Sequence, residues 1–150
     1  MFEPYLTQWQ LHPEGEPIIT LGSRLLPVRY QGLPAMLKIA LDDEEKFGNL
    51  LMTWWAGEGA ARVYAHDGAA LLLERAEGRR SLQHMAMHGA DDLASRIICD
   101  AVARLHAPRS APLPPLVDMA HWFRSLAPAA RRHGGRLRQC LASAEYLLAT

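Results

Sequence analysis

A single lysine interrupts an apolar stretch in the first third of the chain. Residues 33–40 read Leu-Pro-Ala-Met-Leu-Lys-Ile-Ala, and the alternation of a β-strand places Lys38 on the same face as Met36 and Ala40. An ammonium group in such a stretch must reach water, a carboxylate or an anionic ligand, because its charge is costly to bury alone. From the spacing alone, a lysine that reaches solvent from an edge strand is the simpler interpretation.

An acidic segment follows directly and could supply a carboxylate for Lys38. Residues 42–45, Asp-Asp-Glu-Glu, begin a predicted helix over 42–55 whose apolar side chains recur every three or four residues. The apolar stripe places Asp43 and Glu44 toward the core, whereas Glu45 shares a helical face with small residues that permit close approach to a neighbouring element. Asp42 and Glu45 also have the spacing of a capping box. The residues alone therefore leave both Glu44 and Glu45 open as partners of Lys38.

A predicted antiparallel sheet would position these residues. Residues 1–17 read as irregular, and five strands follow over residues 18–21, 25–30, 33–40, 61–65 and 69–75. His66, Asp67 and Gly68 are a hairpin signal between the last two strands. After a polar connector near residue 76, the pattern predicts helices over 81–88, 91–105, 119–126 and 135–148. The predicted fold class is α+β, with one main helix after the third strand.

The composition is that of an ordinary globular protein with no global electrostatic preference. The chain has 150 residues, of which 49% are apolar, and its formal net charge is zero, which gives no general attraction to nucleic acid or to anionic membranes. No apolar run approaches the ~20 residues of a membrane span, and no signal peptide is evident at the N-terminus. We expect a cytoplasmic protein in which Cys99 and Cys140 are reduced and buried.

Three segments resemble a known enzyme family. They are LPAMLKIA, DDEEKFGNLLMTWWAGEGAARVYAHDGAALLLERAEGRRSL and AVARLHAP. Together they resemble the N-terminal portion of the aminoglycoside/hydroxyurea phosphotransferases, of the streptomycin 6-phosphotransferase type, from about Trp9 onward. The resemblance implies a protein-kinase-like fold, with an ATP-binding N-lobe over residues 1–76 and the helical start of a C-lobe over 77–150. It also implies transfer of the γ-phosphoryl group of ATP to a hydroxyl of a small molecule.

The resemblance assigns roles to several residues. Lys38 would contact the α- and β-phosphates of ATP, and the family pattern Glu-x-x-Gly-Asn selects Glu45 as its partner, with Glu44 in reserve. Gly22 and Ser23 would lie in the loop that covers the phosphates. The backbone from Glu74 to Ala76 would be the hinge that binds the adenine edge, and Mg²⁺ is expected for the complete enzyme.

The catalytic half of the family pattern is not found in these 150 residues. Family members carry a His-Gly-Asp-Leu-His type catalytic loop and a later metal-binding aspartate, and His88 to Asp91 resembles that loop only superficially and comes too early. The prediction is therefore that no catalytic residue is present and that the chain alone is inactive. Helices that pack on the remaining half would expose apolar stripes, which favours self-association.

Two other clusters invite functional interpretations. His84 and His88 are four residues apart on a predicted helix, a spacing that can bind zinc, but no third ligand accompanies them and packing is favoured. Arg131, Arg132 and His133 are basic without interleaved aromatic residues, which favours a solvated helix face over nucleic-acid binding. The alternative to a phosphotransferase is a non-catalytic nucleotide-binding or protein-interaction module.

Overall fold

The computed structural model describes residues 1–78 and 80–149. The chain divides into two compact units, Met1–Pro115 and Leu116–Thr150. The boundary that the sequence predicts near residue 76 lies within the first unit, between a strand and the helix that follows it. The division into lobes 1–76 and 77–150 therefore stays a prediction.

The first unit is built on an antiparallel sheet that has six strands in the described residues rather than the predicted five. The order is β1-β3-β4-β6-β5, and β2 pairs with β3 beside β1. The strands are β1 His12–Pro13, β2 Ile18–Ile19, β3 Ser23–Tyr30, β4 Leu33–Ala40, β5 Val63–Asp67 and β6 Ala70–Glu74. The unpredicted strand is β1, whose His12 pairs with Arg29 of β3. Two residues are too few to show an alternation, so this strand left no signal in the sequence.

The N-terminal segment also contains a helix where the sequence predicted irregular structure. Helix α1 spans Glu3–Gln8 and carries Pro4 in its first turn. Proline is tolerated there because the first turn of a helix has no partner for the missing amide donor. The sequence prediction interpreted Pro4 as a sign of irregular structure, and helix α1 was therefore missed.

The other helices largely follow the predicted pattern. In the first unit they are α2 Asp43–Trp55, α3 Leu82–Met87 and α4 Asp91–Leu105, and in the second α5 Met119–Trp122, α6 Leu126–His133 and α7 Arg136–Ala149. The Ser81 side chain accepts a hydrogen bond from the His84 amide at 3.1 Å, as expected of a cap. The predicted helix over 119–126 is wrong, because α5 ends at Trp122 and α6 begins at Leu126. Pro128 lies in the first turn of α6, where it is compatible with a helix.

The core of the first unit lies on one face of the sheet. Ala35 and Leu37 of β4 are fully buried, and they cluster with residues of the neighbouring strands such as Val28 and Leu72. Side chains of α1, including Tyr5 and Leu6, pack against this cluster. The alternation predicted that Ala35 and Leu37 lie on the face of β4 opposite Lys38. That face is the core face.

The side chain of Arg109 joins the end of α2 to the end of α4. It is 8% exposed, and its guanidinium donates hydrogen bonds to the carbonyls of Leu105 at 2.9 Å and Glu58 at 3.2 Å. The guanidinium also lies 4.7 Å from the ring centre of Trp54. The indole of Trp55 donates to the same Leu105 carbonyl at 3.1 Å. A buried cation is tolerated here because it is surrounded by carbonyl dipoles and an aromatic face.

Cys99 and Cys140 are free thiols, but both are exposed, so the prediction that they are buried is wrong. Each lies on a helix whose neighbouring positions are also mostly exposed, which the apolar pattern did not reveal. Within residues 1–78 and 80–149, no helix has both the length and the apolarity needed to cross a bilayer.

We predict that Arg109→Met lowers the stability of the first unit by at least about 2 kcal/mol, because a single hydrogen bond to a charged group contributes roughly 1.5–3 kcal/mol. Urea unfolding followed by tryptophan fluorescence measures this directly. Arg96→Met is the matched control, since Arg96 is exposed on α4. Equal midpoints for the two variants would show that the Arg109 contacts contribute nothing.

Candidate functional site

Lys38 lies on the face of the sheet opposite the core. In the strand register it pairs with Leu25 of β3 and with Leu71 of β6. Paired residues of antiparallel strands point to the same side, so the lysine stem is flanked by two leucines. Leu71 is fully buried and Leu25 is half-buried, while the Lys38 side chain is 17% exposed. The Lys38 side chain therefore lies beside an apolar region and is only slightly exposed to solvent.

The same face continues as an apolar surface away from Lys38. Met36 pairs with Pro27 of β3 and Leu73 of β6, and all three side chains are half-buried. Their partial exposure distinguishes this surface from the core face, where Ala35 and Leu37 are fully buried. A planar apolar group could pack against it.

Helix α2 supplies the partner of Lys38. The Nζ atom of Lys38 forms an ion pair with Oε2 of Glu45, whose side chain is 36% exposed. The Asp42 side chain caps the helix by accepting a hydrogen bond from the Glu45 amide at 2.8 Å. Of the two candidates that the residues left open, the structure brings Glu45 to Lys38. The capping role of Asp42 and the pairing of Glu45 coexist, because one uses the Glu45 amide and the other its carboxylate.

Gly22 lies against the start of α2. A Cβ atom at this position would be 2.9 Å from Cγ of Glu45 and 3.1 Å from Oδ2 of Asp42. The Gly22 carbonyl accepts a hydrogen bond from the Leu41 amide at 2.8 Å, which ties the loop before β3 to the end of β4. A side chain here would meet the carboxylate that pairs with Lys38, so the approach requires glycine.

The Ser23 side chain is buried and contacts Thr20 within the fold. It is 5% exposed, and its hydroxyl lies 2.9 Å from the Thr20 hydroxyl, which in turn accepts a hydrogen bond from the Ser23 amide at 3.0 Å. The residue is thus near the Gly22 loop but its side chain is engaged within the fold. Its assignment to a phosphate-covering loop stays a prediction.

The predicted hinge follows β6. The Glu74 amide donates to the Arg62 carbonyl at 2.8 Å, and its carboxylate accepts from the Arg62 amide at 3.2 Å. The Arg75 amide donates to the Pro34 carbonyl at 3.4 Å, and Ala76 is exposed. This segment directly follows Leu73, which pairs with Met36, and so adjoins the apolar surface of the Lys38 face.

A charged network beside this segment was missed by sequence reasoning. Glu14 pairs with Arg29 of β3 and with Arg75, each at 2.6 Å, and Arg75 also pairs with Glu77 at 3.0 Å. The hydrogen bond from Arg75, followed by that from Arg29, lowers the pKa of Glu14, and the Glu14 bond raises the pKa of Arg75. Glu14 and Arg75 are 61 residues apart, and no local pattern relates them.

The two other candidate clusters lie on helices. The rings of His84 and His88 stack with centroids 3.9 Å apart, and the His88 Nδ1 atom lies 2.7 Å from the His84 carbonyl oxygen. Across residues 1–78 and 80–149, no group of three histidine, cysteine or carboxylate side chains could hold a metal ion. Arg131, Arg132 and His133 form the last turn of α6 in the second compact unit.

Comparison with known proteins identifies the family to which the chain belongs. The mixed α/β architecture with an antiparallel sheet is consistent with a kinase-like fold. The family described as aminoglycoside/hydroxyurea antibiotic resistance kinase matches residues 8–150, and the chain belongs to that family. A streptomycin 3''-kinase from Klebsiella pneumoniae is 46% identical over 144 residues, which cover 96% of this chain and 54% of that protein. The chain thus spans about half the length of this relative, and the predicted family resemblance is confirmed.

We predict that Gly22→Ala destabilises the first unit by about 1–3 kcal/mol, the usual cost of inserting a methyl group where no space exists. Thermal unfolding of the purified variant measures this. Gly48→Ala is the control, because Gly48 lies within α2 and a Cβ there would meet no atom within 4 Å. That change should stabilise by about 0.5–1 kcal/mol, since alanine is the better helix former. A neutral Gly22→Ala variant would contradict the packing of Gly22 on Glu45.

The pKa of Glu14 leads to a prediction about acid stability. Its pKa is lowered from 4.5 in the folded chain, so the carboxylate stabilises the fold above the unfolded pKa, and this contribution is lost as the pH falls through the folded value. Glu14→Gln should therefore have a lower melting temperature than the wild type near pH 7, and the difference should shrink below about pH 4.5.

A pH series of thermal unfolding for the wild type and Glu14→Gln tests this. Glu16→Gln is the control, because Glu16 is exposed and has no ion pair with a described residue. A difference between wild type and Glu14→Gln that persists unchanged to pH 3 would mean that the Glu14 charge is not responsible.

Proposed function

We propose that this chain is the nucleotide-binding part of an ATP-dependent phosphotransferase that acts on a hydroxyl group of an aminoglycoside. The observation that carries the proposal is the ion pair between Lys38 of β4 and Glu45 of α2, on the half-buried face of the sheet. The family match and the 46% identity to a streptomycin kinase support it. Under this proposal the chain acts in the cytoplasm, where ATP is supplied.

The described residues fit the chemistry of ATP. The apolar surface of Met36, Pro27 and Leu73 suits the planar adenine base. The Glu74 and Arg75 amides already donate within the fold, so the adenine edge would be bound at the exposed Ala76 end of this segment. The ammonium of Lys38 at the other end of this face suits the α- and β-phosphates. An apolar base site and a cation on one face match the two ends of the nucleotide.

The chemistry requires positive charge on the phosphates and alignment of the reacting atoms. Bound ATP supplies the γ-phosphoryl group. Lys38 would attract and orient the phosphates, and Glu45 would keep the ammonium in place. Gly22, which has no side chain, would let the loop before β3 approach the phosphates.

The remaining parts of the reaction need groups that these 150 residues do not contain. The sequence has no later aspartate in a metal-binding setting and no His-Gly-Asp type loop to accept the proton of the acceptor hydroxyl. We therefore expect Mg²⁺ and the base to be held by the other half of the family fold. The chain alone should bind ATP without transferring its phosphoryl group.

The relative supports an aminoglycoside as the acceptor. That protein is named for streptomycin and for the 3'' position, whereas the sequence resemblance was to the 6-phosphotransferase type. We propose an aminoglycoside hydroxyl as the acceptor and antibiotic resistance as the role, in keeping with the family.

A second candidate is a non-catalytic module that binds a partner protein or a second copy of itself. It is favoured by exposed apolar side chains on α4, where Leu93 is 54% exposed and Ile98 is 50% exposed, and on α7, where Tyr146 is 71% exposed. Such side chains usually mark an interaction surface when they are contiguous. This candidate predicts no ATP binding that depends on Lys38.

We predict that Lys38→Met weakens ATP binding to the purified chain at least about tenfold, because a charge-assisted hydrogen bond contributes roughly 1.5–3 kcal/mol. Isothermal titration calorimetry with ATP, with and without Mg²⁺, measures the change. Lys46→Met is the matched control, since Lys46 is 48% exposed on α2 and pairs with Asp43 rather than with Glu45.

Two results would overturn the proposal. Saturable ATP binding that is equal in the wild type and Lys38→Met would remove Lys38 from the site, and no ATP binding at all would favour the interaction module. Robust phosphorylation of streptomycin by the 150-residue chain would refute the expectation that the base lies outside it.

A further inference from the structure

Asn49 is the most deeply buried polar side chain on α2 among the described residues. It is 0% exposed, and its Nδ2 group donates a hydrogen bond to the Ala69 carbonyl at 3.1 Å. Its Oδ1 atom is buried and has no hydrogen-bond partner among the described residues. A buried amide whose oxygen accepts no hydrogen bond costs stability, so the residue requires an explanation other than packing.

The Ala69 carbonyl is a meeting point of three elements. It lies in the turn between β5 and β6, and it also accepts a hydrogen bond from the Ala40 amide at 2.8 Å. Ala40 is the last residue of β4, two positions after Lys38 and on the same face. Asn49 is one helical turn after Glu45, on the same side of α2. The carbonyl thus links the backbone just beyond Lys38 to the helical face just beyond Glu45.

We propose that Asn49 is a positioning residue that fixes helix α2 over β4, so that Glu45 meets Lys38. The hydrogen bond to Ala69 sets the height and rotation of the helix one turn from the ion pair. The consequence for nucleotide binding rests on the proposed function, whereas the effect on the ion pair does not.

A substitution of Asn49 can test positioning separately from stability, because its Oδ1 atom has no hydrogen-bond partner among the described residues. In Asn49→Leu, the Ala69 carbonyl keeps its hydrogen bond from Ala40, and the unpaired acceptor is removed. Replacing a partly satisfied polar group with an apolar one of similar size is often nearly neutral for folding. Asn49→Leu should therefore retain the fold while losing the directional link. Asn49→Ser, which is too short to reach Ala69, is the second variant in case leucine perturbs the packing.

The ion pair can be followed by comparing the chemical reactivity of Lys38 with that of Lys46. Its only two lysines are Lys38, which is 17% exposed and paired with Glu45, and Lys46, which is 48% exposed. Limited acetylation of the folded protein, read by mass spectrometry, gives the reactivity of Lys38 relative to Lys46. Both lysines report from one sample, so differences in reagent or concentration cancel.

We expect the Lys38 to Lys46 ratio to rise at least about twofold in both Asn49 variants, as coupling within one hydrogen-bonded network is at least roughly 0.5 kcal/mol. Glu45→Gln should raise the ratio as well, and adding Asn49→Leu to it should cause no further rise, because the lysine partner is already lost. An unchanged ratio in folded Asn49→Leu and Asn49→Ser, or full additivity with Glu45→Gln, would overturn the proposal.

Two controls exclude a general loosening of the fold. Thr53→Val removes a hydroxyl that bonds the Asn49 carbonyl at 2.9 Å within α2, without touching the sheet contact. Val28→Ala creates a cavity in the core on the opposite face of the sheet. Both should leave the ratio unchanged, even where the melting temperature falls. A rise in Val28→Ala equal to that in Asn49→Leu would also overturn the proposal.

Titration of the same variants with ATP tests whether Asn49 affects nucleotide binding through the ion pair. Asn49→Leu should weaken binding in the wild-type background and have no effect in Glu45→Gln. If the wild type binds no ATP, the proposed function fails, while the labelling ratio still decides whether Asn49 positions the pair. If the ratio rises but ATP affinity does not change, the positioning role stands and the ion pair is not part of a nucleotide site.

Discussion

The charge of Lys38 is the constraint on which the rest of the site depends. An ammonium flanked by leucines on a sheet face must be compensated, because an isolated charge in such surroundings is strongly unfavourable. Glu45 is the compensating group, and it can serve only if the first turn of α2 lies over the end of β4. The cap at Asp42 and the bare backbone of Gly22 both act at that point. The local structure around Lys38 is therefore arranged to keep one pair of charges together.

The depth of this pair matters as much as its existence. A fully exposed pair would be weakened by water and salt, and a fully buried one would be closed to any ligand. Lys38 and Glu45 lie between these limits, beside an apolar surface that is itself half-buried. Such a position combines a partly desolvated cation with access from solvent, as binding of a phosphate group requires. The core on the opposite face has neither property, since its side chains are fully enclosed.

The N-terminal segment contributes more than the family match suggests. The match begins at residue 8, yet Tyr5 and Leu6 of α1 pack against the core. Glu14 then pairs with Arg29 of β3 and with Arg75 after β6, so that the start of the chain is tied to the proposed hinge through Arg75. Residues before the matched region thus support the sheet from its core face, and those just after its start support the edge of the proposed site.

Local patterns in the sequence determined most of the elements. The alternation over residues 33–40 correctly separated the core face of β4 from the Lys38 face, and the period of α2 and the cap at Ser81 were also predicted, because each depends on residues only two to four positions apart. The tertiary structure alone decided the contacts between distant segments. These are the bridge from Glu14 to Arg75 and the link from Asn49 to Ala69. For Lys38, the residue patterns left Glu44 and Glu45 open, the family pattern selected Glu45, and the structure contains the ion pair with Glu45. Such contacts depend on how elements pack in space, which no short window of sequence encodes.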